Sequence, residues 1–254
     1  MLLLDYLRPS LWIASHLLQA TLLVLLVRRG FFRQFPIFVI YTASEVLQFV
    51  VIFIMLHSPV PVSDAQYFYT YAFFSAASAS LRFGIIYEVF THLFRDYPAL
   101  SRLGRTLFRA TAILLLVLAV FLARLAPAQG VGRLMVMVDV LNRSVSILQC
   151  GLLAFLFLFS GYFALSWRSY TFGIALGLGV YASLELTTSA IRSQIEPVGR
   201  NLLDGIMMAT YLGCVLIWMS YLLAPERETQ SPSKGLPTHD LETWNQELQR
   251  LLQK

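Results

Sequence analysis

At 254 residues and 28.8 kDa the chain has the length of one or two soluble domains, yet 57% of its residues are apolar, 13% are charged and its mean hydropathy is +0.68. A soluble domain carries roughly a quarter charged residues, so this balance excludes an ordinary water-soluble globule and indicates a chain embedded in a membrane. The net charge of +5 is no argument for a nucleic-acid partner, because Arg gathered in loops between apolar segments is what orientation in a bilayer requires.

A helix needs about 20 mainly apolar residues to cross a hydrocarbon core of about 30 Å, and segments of that kind fall at about 10–27, 36–56, 66–94, 107–125, 134–165, 170–191 and 202–223. The first ends at Arg28-Arg29-Gly30. With no basic leader and no small-residue cleavage site before Arg28, it reads as a retained span rather than a signal peptide. The second opens on Pro36, suited to a first helical turn, and closes at His57-Ser58-Pro59. The third carries the small-residue run Ser75-Ala76-Ala77-Ser78-Ala79-Ser80, and the sixth carries Gly173-x-x-x-Gly177; both let helix backbones approach closely. The fourth has an apolar centre from Ala110 to Ala123, and the fifth is long enough to tilt or to project from the bilayer. Cys150 and Cys214 fall inside spans and read as small core residues, not as a disulfide or metal framework. Beyond Leu223, residues 226–239 have the composition of a flexible linker. Residues 240–254 then place Leu241, Trp244, Leu248, Leu251 and Leu252 on one face of a short amphipathic cytoplasmic helix, which lies on the inner leaflet or docks on a partner protein.

The expected fold class is therefore all-α, a polytopic transmembrane bundle of seven spans. Lys and Arg set its orientation. Twelve fall in the tail and in the connections after spans one, three and five, and five fall on the opposite side, with Arg82 and Arg143 set aside as intramembrane. This predicts an N-terminus outside and a C-terminus in the cytoplasm. The segment joining the first two spans, Arg28-Arg29-Gly30 followed by Phe35-Pro36-Ile37-Phe38 and Tyr41, resembles that of seven-helix bacterial integral membrane proteins of no assigned activity. The resemblance implies a location in a bacterial inner membrane and brings no catalytic residues with it.

Charges within a bilayer are costly, so they face a bundle interior and seek partners. Asp139, Asn142, Arg143, Ser146 and Gln149 recur at three- and four-residue spacing, a polar stripe on one face of the fifth span. Tyr181, Glu185, Thr188 and Arg192 form a matching face on the sixth. His16, Asp139, Asn142, Arg143, Glu185 and Asp204 are the candidate ligand-binding group, at the outer side. Within it Asp139 and Arg143 are close enough along one helix to neutralise each other. Glu45 and Arg82 come out at similar depth on neighbouring spans and are the candidate intramembrane ion pair. Glu88 and His92, four apart, read as a solvated or interfacial pair near the cytoplasm.

A retinal Schiff base needs a lysine on the last helix, and Lys234 and Lys254 both follow it. Histidines split between the two sides of the membrane argue against a metal hydrolase, and no Walker, dinucleotide, HExxH or GxSxG motif occurs. No metal or cofactor is expected. The reading that remains is a non-enzymatic sensor or small-ligand-binding protein with an outward-facing polar cavity, its partners being the lipid bilayer and a small ligand from the outer side. A small transporter or channel is the alternative, and a lipid-active membrane enzyme using Asp139, Glu185 and Asp204 the second.

Overall fold

In lipid an apolar segment can satisfy its own backbone only by forming a helix or a closed barrel, and this chain forms helices. The computed structural model describes residues 2–58, 62–93, 98–125, 131–159, 169–192, 197–224 and 249. Among them are seven long helices: α1 (Leu2–Arg28), α2 (Pro36–His57), α3 (Asp64–Leu93), α4 (Pro98–Leu125), α5 (Val131–Phe159), α6 (Tyr170–Arg192) and α7 (Pro197–Leu223), with a 3-10 turn at Phe31–Arg33. Five of the seven, α1, α2, α5, α6 and α7, are long and apolar enough to cross a membrane. The linker at 226–239 and the amphipathic helix at 240–254 lie outside the described residues, apart from Gln249, which is helical.

The helices outrun the apolar segments. α1 begins eight residues early, α7 begins at Pro197, and α4 runs back to Pro98 through the exposed Arg102, Arg105 and Arg109. Backbone hydrogen bonding needs no apolar side chain, and Arg is a good helix former. α3 starts at Asp64 because Ser63 and Gln66 form a reciprocal capping box: Ser63 N–H donates to Gln66 Oε1 at 3.1 Å, and Gln66 N–H to Ser63 Oγ at 3.3 Å.

The helices α1, α2, α3, α5, α6 and α7 pack in that order into a closed ring, with α4 outside it against α5 and α3. α3 reaches across to α6 as well. Large apolar side chains such as Leu17, Ile54, Phe73, Ile113, Val117 and Leu216 are exposed on the outside of the bundle. That is the inverse of a soluble protein's surface and suits contact with lipid.

One end of the bundle is built by the connection between α1 and α2. Gly30 takes φ +71°, the left-handed conformation that ends α1. The chain then turns through the 3-10 segment and buries Phe31 and Phe35. Phe31 packs edge-on against Tyr170 at the start of α6, and Phe35 stacks on His92 at the end of α3. Two charges complete helix ends that are not their own. Arg29 Nη1 donates to the carbonyl of Leu222 in the last turn of α7. The Glu88 carboxylate accepts the N–H groups of Ile37 at 3.0 Å and Phe38 at 3.1 Å, in the first turn of α2. An anion at a helix start and a cation at a helix end both complement the helix dipole. Glu88 is thus 5% exposed and structural, not the solvated partner of His92 that its spacing suggested.

Gly173 and Gly177 form an internal groove for α7. A Cβ on Gly173 would stand 2.3 Å from Cγ of Tyr221, and one on Gly177 would stand 2.3 Å from Nε1 of Trp218. Trp218 in turn donates to the Ile174 carbonyl at 3.3 Å. The GxxxG face is therefore filled from within the chain.

Two predictions follow from these contacts. Gly173→Ala and Gly177→Ala overpack a rigid aromatic contact, at a cost of about 1–3 kcal/mol each, and lower the thermal unfolding midpoint in detergent. Gly213→Ala, where a Cβ meets nothing within 4 Å, leaves the midpoint unchanged or raised. Glu88→Ala strands two backbone donors at about 1–3 kcal/mol per unsatisfied group. Hydrogen exchange at Ile37 and Phe38 should then accelerate by an order of magnitude or more, with Glu88→Gln intermediate.

Candidate functional site

Arg82 lies two-thirds of the way along α3, 4% exposed, with α5 and α6 packed against that helix. Its guanidinium divides between those two helices. Nη1 donates to Glu185 Oε2 on α6 at 2.9 Å, and Nη2 donates to Asn142 Oδ1 on α5 at 2.5 Å. Asn142 Nδ2 donates back to Ser75 Oγ on α3 at 3.0 Å. Ser146 Oγ donates to the same Glu185 oxygen at 2.5 Å. The cationic carbon of Arg82 also stands 5.8 Å from the centre of the Tyr181 ring. Three helices are thus joined through one buried side chain.

The expected Glu45–Arg82 ion pair is not what forms. Arg82 pairs with Glu185, and Glu45 instead accepts a 2.6 Å hydrogen bond from Ser78 Oγ. The reason is directional: Asn142 and Glu185 offer two acceptors that match the planar fork of the guanidinium, whereas depth along a helix says nothing of the direction in which a side chain points.

Beside this network lies a cleft of about 570 Å³. It sits toward the end of the bundle where α3, α5 and α7 begin and α6 ends, opposite the Arg29 end. Asp139, Asn142 and Arg143 line it from α5, Glu185 and Ser189 from α6, and Tyr71 and Ser75 from α3. Asp139 and Arg143 are exposed, and they do not form the intrahelical pair that their spacing allows. Arg143 meets no carboxylate within ion-pair distance among the described residues.

The remaining sequence candidates fall elsewhere. His16 lines a second, smaller chamber of about 200 Å³ with Trp12, Glu45, Tyr181, Met207 and Tyr211. Asp204 lines neither space. Met207 lines both, so the two spaces share a wall on α7.

Sequence reasoning overlooked Ser75, Ser78 and Tyr211. The serines were read as packing residues, although 75, 78 and 82 recur at helical spacing on the face that carries Arg82. Tyr211, whose hydroxyl donates to the buried Gln19 Oε1, had no periodic signal because it connects α7 to α1. Comparison with protein-family models, with curated proteins and with solved structures finds no match to this chain.

Breaking a buried ion pair on one side costs about 3–5 kcal/mol, whereas replacing both partners by apolar groups can be neutral. Arg82→Met should therefore lower the unfolding midpoint sharply, and Arg82→Met with Glu185→Leu should recover part of that loss. A double variant as unstable as the sum of the two singles would show that the pair is uncoupled.

Proposed function

We propose that the chain is a seven-span membrane protein, N-terminus outside and C-terminus in the cytoplasm, whose cleft is an outward-facing binding site for a small polar ligand, with no chemistry of its own. The observation that carries this reading is the cleft itself. It has a volume in the range of small-molecule sites, about 300–1,000 Å³. It also has charges of both signs on its walls and an Arg143 that no carboxylate of the described residues meets within ion-pair distance. Such a cation is suited to an anionic group on the ligand.

Orientation supports the outward opening. Arg28, Arg29 and Arg33, with Arg102, Arg105 and Arg109 at the start of α4, gather at the end opposite the cleft. By the positive-inside rule that end is cytoplasmic. On this reading α3 and α4 also cross the bilayer, α3 with its charges turned into the bundle and α4 with Ile113, Leu114, Val117 and Phe121 exposed to lipid. The bilayer is then a bacterial inner membrane, and residues 240–254 meet its inner leaflet or a cytoplasmic partner that relays the binding signal. The wall shared by the two chambers supports a second reading, a small transporter in which they are successive stations. Uptake of solute into proteoliposomes distinguishes the two.

The test has two parts. With Cys150 and Cys214 replaced, a Ser189→Cys chain in intact cells reacts with a membrane-impermeant maleimide added outside; labelling only after the cells are broken would reverse the orientation. In a thermal-shift panel of small organic anions and amino acids, compounds that stabilise the wild type bind Arg143→Ala at least tenfold more weakly. Equal stabilisation of both proteins by every active compound would count against the cleft as the site.

A further inference from the structure

The smaller chamber has a composition different from that of the cleft. Its walls are aromatic, from Trp12 on α1, Tyr181 on α6 and Tyr211 on α7, and its polar groups are Ser15, His16 and Glu45. The rings hold one another. Trp12 meets His16 edge-on at 5.5 Å, Tyr181 meets Tyr211 edge-on at 5.8 Å, and His16 lies 6.1 Å from Tyr211. Phe49 backs the α1 side, stacked on His16 at 4.4 Å.

Among the described residues, the hydrogen bonds in this chamber leave acceptors and no donor cation. His16 Nδ1 lies 2.7 Å from the Trp12 carbonyl, which can only accept, so Nδ1 carries the hydrogen and the neutral ring presents Nε2 as an acceptor. Ser15 Oγ donates to the Leu11 carbonyl, and the Tyr211 hydroxyl donates to Gln19. Glu45 Oε1 accepts from Ser78, while its second oxygen receives no hydrogen bond from the described residues. Arg82 is committed to Glu185 and Asn142 and stands beyond ion-pair distance of Glu45. Around Arg82, the described residues thus place two carboxylates, Glu45 and Glu185, of which Glu185 alone is directly paired with it. Glu45 lies roughly 14 Å along α2 from its first residue, where an uncompensated charge is expensive.

We propose that this chamber binds a compact organic ammonium ion, with Trp12, Tyr181 and Tyr211 as an aromatic cage and Glu45 as its counter-charge. Ring faces attract a desolvated ammonium, and Trp does so best. At about 200 Å³ the space suits a small cation, not an extended one. The assignment stands apart from the cleft and does not depend on what the cleft binds.

The experiment uses the full chain purified in detergent, with tetramethylammonium chloride as the probe and sodium chloride at equal ionic strength as the reference. Tetramethylammonium should raise the unfolding midpoint saturably. The apparent affinity should fall at least tenfold in Glu45→Gln, which keeps an acceptor for Ser78, and also in Trp12→Leu. Without the probe, Glu45→Gln should melt no lower than wild type, because it removes a buried carboxylate in direct contact with no cation among the described residues; a purely structural Glu45 would give the opposite. No saturable shift in the wild type, or equal affinity in Glu45→Gln, overturns the proposal. Should Glu45→Gln fail to accumulate, Trp12→Leu carries the same comparison. Added phosphatidylcholine identifies the source: displacement of the probe assigns the ammonium to a lipid headgroup, and no displacement assigns it to a free cation. Failure of the probe leaves the cleft reading untouched, since no residue of the cleft enters the comparison except the shared Met207.

Discussion

The division of one guanidinium between two helices is the constraint on which the interior of this bundle depends. Arg82 is nearly inaccessible, and a buried cation is tolerated only when its charge is paired and its N–H groups are largely met; here Nη1 and Nη2 find acceptors while the buried Nε finds none among the described residues. Glu185 supplies the charge, and Asn142 supplies a second acceptor at the angle that a planar fork requires. A lysine could meet the charge, but it has no rigid fork with which to hold α5 and α6 at once. Ser75 and Ser146 then orient Asn142 and Glu185. The positions of α3, α5 and α6, and so the shape of the cleft between them, follow from how this one side chain is satisfied.

Satisfying Arg82 in this way also partitions the polar interior. With Glu185 committed, Glu45 has a hydroxyl for company and no paired cation among the described residues. The cleft and the chamber consequently differ in character: the first has Arg143 open to it, the second a carboxylate among aromatic rings. Tyr181 lies one helical turn from Glu185 and beneath the Arg82 guanidinium, and Met207 belongs to both walls. Two spaces of different lining thus adjoin across a single turn of α6 and one methionine of α7.

Much of the helical layout was legible in the sequence, because apolar length is a property of a chain read in one dimension. The second, sixth and seventh segments end within a residue or two of their helices. The stripe on α5 and its matching face on α6 were also legible, since helical spacing assigns residues to a face. Pairing was not. Glu45 and Arg82 agree in depth yet do not meet, and Glu88, read as interfacial, is bound by backbone groups 51 and 50 residues away. Depth is one coordinate, and a contact between helices needs the rotation of each about its axis as well. The α3 serines show the same limit: small residues that pack closely and hydroxyls that hold a carboxylate or an amide have identical sequence signatures.

The cap that Glu88 places on α2 has a consequence for biogenesis. Ile37 and Phe38 are made 51 and 50 residues before Glu88, so their N–H groups must find other partners until α3 follows. The smallest unit with that helix end satisfied is therefore the α2–α3 pair. Arg29 extends the dependence to α7, because the Leu222 carbonyl that it covers is made 193 residues later. The order of synthesis and the order of completion differ, and the connection between α1 and α2 is finished only when α7 has arrived.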